Sequence, residues 1–482
     1  MIRFVSIACC TAVYSFAAEP GALAQRSRID VSQVGQPCHL PYVREPLRCL
    51  TVDVPLDWKL MRGRLQLHVT IAPSVRESAT ADPLFVLAGG PGQAGSDVVA
   101  LLNTAFRKVR ATRDIVFVDQ RGTGRSGKLS CADLEKSEYA SDEAQNAAIE
   151  LCLRSLKASY EFYTTDSAAN DLNRVREILG FSHINLWGGS YGTRLAQAYA
   201  RLFPEHVRSL VLDGVVSPQQ IVGAWGLDGQ RSFEGILKRC EIDPACHEAF
   251  PALRAEFEAL SQKVKANEVK LKFRHPRTSQ HADLTNFSYA FFEGIRVALY
   301  RLDTAAQIPF FIHEAHENRW QPFLAHLYST SDWSSDAMAI GITLAIVCAE
   351  YMPRVTADLI AEEEKGSFLR GLHLKTWPTW CNSLNVPEVP WKTPSALVQP
   401  TLMLSGGLDP VTPPSRAEEA AQFLKSSTHV IVANAGHGVS SLGCIPKLIR
   451  KFLDAPTQSL DTSCIETIPT PSLVVGPAGP RP

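Results

Sequence analysis

The stretch 183-HINLWGGSYGTRLAQAYARLFP-204 decides how this chain folds. Its first part, Ile184 to Trp187, is a short, largely apolar run that ends in Gly188 and Gly189. From Gly192 onward the pattern turns helical, with Leu195, Ala198, Tyr199 and Leu202 on one face and Pro204 as the stop. A strand, a sharp turn and a helix therefore follow one another. The turn spells G-x-S-x-G as Gly188, Gly189, Ser190, Tyr191 and Gly192. In that setting the serine is forced into a strained conformation, and the flanking glycines are needed because a side chain there would collide with neighbouring backbone. Ser190 is then expected above the sheet at the positive end of a helix dipole, where a developing anion is favoured.

Working outward, similar buried-strand runs occur at 83–90 (PLFVLAGG), 114–120 (DIVFVDQ) and 206–214 (HVRSLVLDG). Between them lies a helical pattern from Asp166 to Leu179, closed by Gly180. Runs buried on both faces and alternating with helices imply an α/β fold with a largely parallel central sheet. Ahead of them, Leu65, Leu67, Val69 and Ile71 alternate with polar residues as a half-buried strand, expected to pair with 49-CLTVDVPL-56. From 217 to 393 the strand signal gives way to a mainly helical pattern, read as an inserted cap. The α/β pattern resumes at 400–407 (PTLMLSGG) and 429–436 (HVIVANAG), followed by a helix around Ile445 to Leu453. The expected organisation is a core over 25–216, the cap over 217–393, the rest of the core over 394–464, and a frayed Pro/Gly-rich tail over 465–482.

The 482 residues amount to about three domains' worth of chain, and 45% hydrophobic with 20% charged is an ordinary globular mix. Whole-chain disorder is excluded. Lys+Arg 48 against Asp+Glu 49 gives a net charge of -1, so no basic excess exists to hold nucleic acid or an anionic membrane. At the start, Arg3, the apolar run Phe4 to Ala18 and the small-x-small Ala22-Leu23-Ala24 have the order of a signal peptide over 1–24. The run is shorter than the ~20 residues needed to cross a bilayer. Export to the periplasm or the medium, with no membrane attachment after cleavage, is the expectation.

Removing Cys9 and Cys10 with that segment leaves ten cysteines, an even number suited to an oxidising compartment. About 945 connectivities are open to ten. Nearest neighbours are the expected partners: Cys38 with Cys49, Cys131 with Cys152, Cys240 with Cys246, Cys348 with Cys381, and Cys444 with Cys464. Their spacings do not suit zinc, and no metal or cofactor is expected.

A serine hydroxyl is a poor nucleophile unless an imidazole takes its proton and an acid orients that imidazole. In the G-x-S-x-G arrangement the order along the chain is Ser, acid, His. Asp409, in SGGLDPVTPP, and His437, in NAGHG, each follow a strand at the same edge as Ser190. Competing readings are an Asp-Pro turn former and an ordinary surface or core histidine. The early loop LAGGPGQAG at 87–95 would supply one oxyanion donor, with Gly90 ahead of Gly89 as the expected N–H, and Tyr191 would supply the other. RGTGRSG at 121–127 spells G-x-G-x-x-G, but no helix opens there and no strand ending in an acid follows, which argues against dinucleotide binding. HEAH at 313–316 has its histidines three apart, not four, and reads as a plain helix face.

Taken together, GGPG at 89–92, DQRGTGRS at 119–126, GGSYG at 188–192, LDP at 408–410 and GHG at 436–438 resemble the exported tripeptidyl aminopeptidase and proline iminopeptidase branch of the α/β-hydrolases. The resemblance spans roughly 83–216 and 398–440, and the insert matches the family's cap only in position and helical character. It implies Ser190 as nucleophile, His437 as general base and then acid, Asp409 as its orienter, and Gly90 with Tyr191 as oxyanion hole. Ala88 departs from the histidine that many relatives carry before GGPG. The family cuts behind short N-terminal segments, so a cap carboxylate should receive the substrate ammonium, and Glu350 is the candidate, with a solvated surface glutamate as the alternative. Trp377, Trp380 and Trp391 could line an apolar pocket or simply pack the core. The expected function is an exported serine aminopeptidase acting on peptides with a free N-terminus. An esterase of the same fold and a non-catalytic hydrolase-like binding protein are the competing classes, and oligomeric state is not legible.

Overall fold

In this computed structural model, which describes residues 31–76, 80, 82–131, 142–156, 158–285, 287–330 and 338–481, the apolar runs become the inner strands of one nine-stranded sheet. Residues 1–24, expected to be a signal peptide, lie outside the described residues. In chain order the strands of this sheet are β1 (Gln36–Cys38), β2 (Leu47–Val54), β3 (Leu65–Ala72), β4 (Leu84–Leu87), β5 (Ile115–Val118), β6 (Ile184–Gly189) and β7 (Val207–Asp213). After a two-stranded hairpin of β8 (Leu271–Arg274) and β9 (His281–Leu284), β10 (Thr401–Gly406) and β11 (Ser427–Val432) complete it. The spatial order is β1-β2-β3-β5-β4-β6-β7-β10-β11. β1, β2 and β3 join antiparallel, as does β3 to β5, and every pairing from β5 to β11 is parallel.

Burial explains why the runs are continuous rather than alternating: all residues of β4, β5 and β10 are buried, so neither face tolerates a polar side chain without a partner. One face is covered by α1 (Thr165–Ile178) and α2 (Tyr191–Leu202), whose Leu172, Val175, Leu195 and Tyr199 pack on Leu186 and Leu210. Thr164 caps α1 through the Ser167 amide, and Gly180, at φ +68°, turns the chain out of it. The other face is covered by residues that include Phe106 and, from the last helix, Ile445, Leu448 and Phe452.

The insert has its own apolar cluster, in which Phe233, Phe257, Phe291, Phe323 and Trp320 meet. Its helices include α3 (Gly226–Ile242), α4 (Ser288–Ala298), α5 (Ile340–Glu350) and α6 (Leu372–Leu384). Two features differ from expectation. The hairpin of β8 and β9 interrupts the helices, with only Leu284 among its strand residues buried, so its runs carried no core-strand signal. The Pro/Gly-rich tail is not frayed: Leu473 is buried in the cap cluster, Val474 N donates to Ala306 O at 2.9 Å, and Arg481 pairs with Glu248 at 2.6 Å. Three consecutive apolar residues, Leu473 to Val475, outweigh the disorder its composition suggests. All five nearest-neighbour cysteine pairs are joined.

The DQRGTGRS loop ties the sheet to α1. Arg121 donates to Asp171 from Nε at 2.7 Å and Nη2 at 2.6 Å, and reaches the carbonyls of Leu56, Phe162 and Pro55. Both side chains are 2% exposed. Asp171→Ala would leave a guanidinium buried without its counter-charge, and a loss of about 3–5 kcal/mol is expected in urea unfolding. A loss below about 1 kcal/mol would mean the backbone carbonyls alone hold Arg121.

Candidate active site

At the end of β6 the chain turns so tightly that Ser190 takes φ 54° and ψ −126° before α2 begins. The glycines on either side are fixed by contact. A Cβ on Gly188 would lie 2.3 Å from Gly192 O, and one on Gly192 would lie 2.1 Å from Leu87 O. The turn is held by the Ser190 amide donating to Asp213 O at 2.8 Å and by Thr193 N donating to Ser190 O at 2.8 Å.

Asp409 follows β10 and is 1% exposed. Its Oδ1 accepts from the amides of Val411 at 2.9 Å and Thr412 at 2.8 Å. Its Oδ2 accepts from Thr412 Oγ1 and lies 2.8 Å from His437 Nδ1. Every lone pair of this carboxylate is thus aimed. His437, in the loop after β11, donates its amide to Tyr300 O at 2.7 Å, and the Tyr300 ring stands edge-on to the imidazole with centroids 4.9 Å apart. The imidazole lies against Gly214, where a Cβ would be 3.0 Å from His437 Cε1. Gly214 follows Asp213, whose carbonyl holds the Ser190 amide, so serine and imidazole both lie at the same end of β7. Among the described hydrogen bonds none joins Ser190 Oγ to His437, a looseness common in resting sites of this chemistry.

Burial opposes a charged imidazole at His437, but the Asp409 carboxylate, by charge and hydrogen bond, outweighs it and holds the pKa above the ordinary value. Burial likewise disfavours the Asp409 anion, and the facing imidazole with the two backbone amides more than compensates, so its pKa is lowered.

In the early loop Gly89 N donates to Gln93 Oε1 at 3.3 Å, whereas the N–H groups of Gly90 and Tyr191 meet no acceptor among the described hydrogen bonds. Gly90 has φ +104°, which only glycine adopts without strain, and its peptide bond to Pro91 is cis. The main-chain carbonyl of Ala88 accepts from Gln120 Nε2 at 3.2 Å.

Glu350 is the one expected site residue that the structure does not bring to this edge. Both of its oxygens accept from Thr165, at N and Oγ1, each at 2.7 Å, and Thr165 Oγ1 in turn meets Tyr191 Oη at 2.7 Å. Burial pushes its carboxyl above the usual range. It lines a cavity of about 130 Å³ with Arg194, Arg201 and Trp391, a lining that includes neither Ser190 nor His437. Trp377 and Trp380 are core residues, 6% exposed each.

What roofs His437 instead is a polar cluster that helical periodicity alone does not reveal. Arg296 donates Nε to Glu293 at 2.7 Å and Nη1 to Tyr300 Oη at 2.6 Å, and its guanidinium stacks over Trp225 at 4.8 Å. His373 Nε2 lies 3.2 Å from the same glutamate. Asp213 is a second residue the motifs did not point to. A signal was present, since VLDG at 211–214 ends a buried strand with an acid just as LSGGLD does.

Residues 82–286 match the family described as the alpha/beta hydrolase fold, and residues 372–464 match the family described as TAP-like protein. The chain is 26% identical to a tripeptidyl aminopeptidase of Streptomyces lividans, over 93% of this chain and 88% of that protein. It is 25% identical to the serine protease Hip1 of Mycobacterium tuberculosis, over 89% of this chain and 91% of that one. With a proline iminopeptidase of Neisseria gonorrhoeae it shares 33% over 31% of this chain and 38% of the other. The two family matches between them take in every parallel strand of the sheet from β4 to β11. The chain is an α/β-hydrolase, a serine hydrolase of the tripeptidyl aminopeptidase and proline iminopeptidase type.

Proposed function

We propose that this protein is an exported serine aminopeptidase that releases short N-terminal peptides, or single N-terminal residues, through an acyl-enzyme on Ser190. The observation that carries this reading is the 2.8 Å contact of His437 with a fully engaged Asp409, at the strand edge where Ser190 projects. Ser190 Oγ attacks the scissile carbonyl while its proton passes to His437 Nε2. Asp409 holds the Nδ1 proton and stabilises the imidazolium. The N–H groups of Gly90 and Tyr191 receive the oxyanion, and His437 then protonates the departing amine. Water, deprotonated by the same imidazole, releases the acyl group. The N-terminal apolar run and the five joined cysteine pairs support export.

The full-length relatives called tripeptidyl aminopeptidase and serine protease support peptide over ester substrates. A free N-terminus requires a group under the cap that accepts from ammonium. Glu350 fills that role only by giving up Thr165, so the substrate amine is the element to vary. Tripeptidyl anilides with a free amine are expected to show kcat/KM about 10- to 100-fold above their N-acetylated forms, the value of a charge-assisted hydrogen bond. Equal cleavage would remove amine recognition from the mechanism and favour the esterase or an endopeptidase.

A further inference from the structure

We infer that Asp213 is a positioning residue that locks the nucleophile turn to the histidine loop and adds a second negative charge near the imidazole. This rests on the triad reading above. Asp213 ends β7 and is 3% exposed. Its main-chain oxygen accepts from the Ser190 amide at 2.8 Å. Its carboxylate turns to the segment immediately after His437, accepting from Val439 N through both oxygens, at 2.9 Å and 3.1 Å, and from Ser440 N at 2.8 Å. One residue thus bonds the amide of Ser190 and the amides two and three residues beyond His437, while no described hydrogen bond joins Ser190 to His437 directly.

The same loop has a second attachment on the nucleophile strand. Trp187 Nε1, three residues before Ser190, donates to Ser440 Oγ at 2.9 Å. Burial pushes the Asp213 carboxyl above its ordinary pKa, and the amides of Val439 and Ser440 with the nearby His437 imidazole work against that by favouring the anion. Gly214 completes the arrangement: it places the strand end directly under His437 Cε1, where any side chain would push the ring away. A 1 Å displacement of a catalytic group costs on the order of 10²-fold in rate.

The charge matters as well as the grip. The groups that bear on His437 are Asp409 from the β10 loop, Asp213 from β7, and Arg296 with Tyr300 from the cap. Asp213 and Asp409 favour the imidazolium and Arg296 opposes it. Removing the Asp213 charge therefore lowers the pH at which the base becomes available.

The test is the rate of Ser190 labelling by a fluorophosphonate, and kcat/KM for a tripeptidyl anilide, each followed against pH in the wild type, D213N and S440A. Active-site titration counts only folded, competent enzyme. D213N is expected to lose about 10- to 100-fold in kcat with KM little changed. Its acid limb should move down by about half a pH unit or more, the direction expected on losing a nearby negative charge. S440A keeps the charge but loses the Trp187 link, so its rate should fall several-fold while the acid limb does not move down.

Wild-type rate and midpoint in D213N would overturn the inference, as would a lower melting temperature with an unshifted acid limb per competent site. Should D213N not fold, S440A decides: a wild-type labelling rate overturns the inference and a slowed one with an unlowered midpoint supports it. Failure of the wild type itself to label would instead remove the triad reading.

Discussion

Ser190→Ala is expected to reduce kcat by about 10⁶-fold and to abolish fluorophosphonate labelling, with no change in melting temperature. The stability half of that expectation follows from the turn. Ser190 is held by its amide on Asp213 O and its carbonyl under Thr193, both main-chain contacts that alanine keeps, and alanine takes φ 54° at the same strain as serine. Only the hydroxyl is lost. The catalytic half follows from the chemistry: without a nucleophile the oxyanion donors and the cap still bind substrate, leaving a residual acceleration of about 10³- to 10⁴-fold over water. Retention of more than a tenth of wild-type kcat, or labelling that persists in the variant, would place the reaction on another residue.

The second largest effect is expected from Asp409→Asn. Oδ1 accepts two amides, from Val411 and Thr412, so the carboxamide oxygen of asparagine takes that position and its NH₂ is turned toward Thr412 Oγ1 and His437. A donor facing Nδ1 drives the imidazole proton to Nε2, where the serine proton has to go. A loss of about 10⁴-fold in kcat is the consequence seen when a triad acid is made an amide.

The pH profile moves too. In the wild type the imidazole pKa is raised, so activity, which needs the neutral base, is lost on acidification at a pH above the ordinary histidine value of about 6.5. Without the Asp409 charge, burial and Arg296 are opposed by Asp213 alone, and the acid limb of kcat/KM shifts down. An unmoved limb in D409N would mean the titrating group is not His437.

How much of this was legible beforehand varied with the physics behind each feature. The parallel strands, α1 and α2 were readable because their signals are local: continuous apolar runs buried on two faces, a 3.6-residue period, and a glycine or proline at each end. The Ser190 turn was readable because its glycines are demanded by contacts only 2 Å away. By contrast, the order of the tail was not legible because it depends on an apolar cluster in the cap, some 100 to 240 residues earlier. The hairpin of β8 and β9 gave no strand signal because little of it is buried.

The sequence by itself determined the sheet's inner strands, the strained serine turn and the order of serine, acid and histidine, and for the ten cysteines it offered nearest-neighbour pairing as an expectation that the structure meets. These depend on which residue types sit next to each other, or close enough in the chain for the nearest pairing to prevail. Only the tertiary structure decided that Glu350 spends its carboxylate on Thr165, that Glu293, Arg296 and Tyr300 roof the imidazole, and that Asp213 joins the serine turn to the histidine loop. Each of those is a choice of partner for a buried polar group. Such a group must find a donor or acceptor wherever the fold happens to offer one, and that position is set by how the layers pack, not by any interval along the chain.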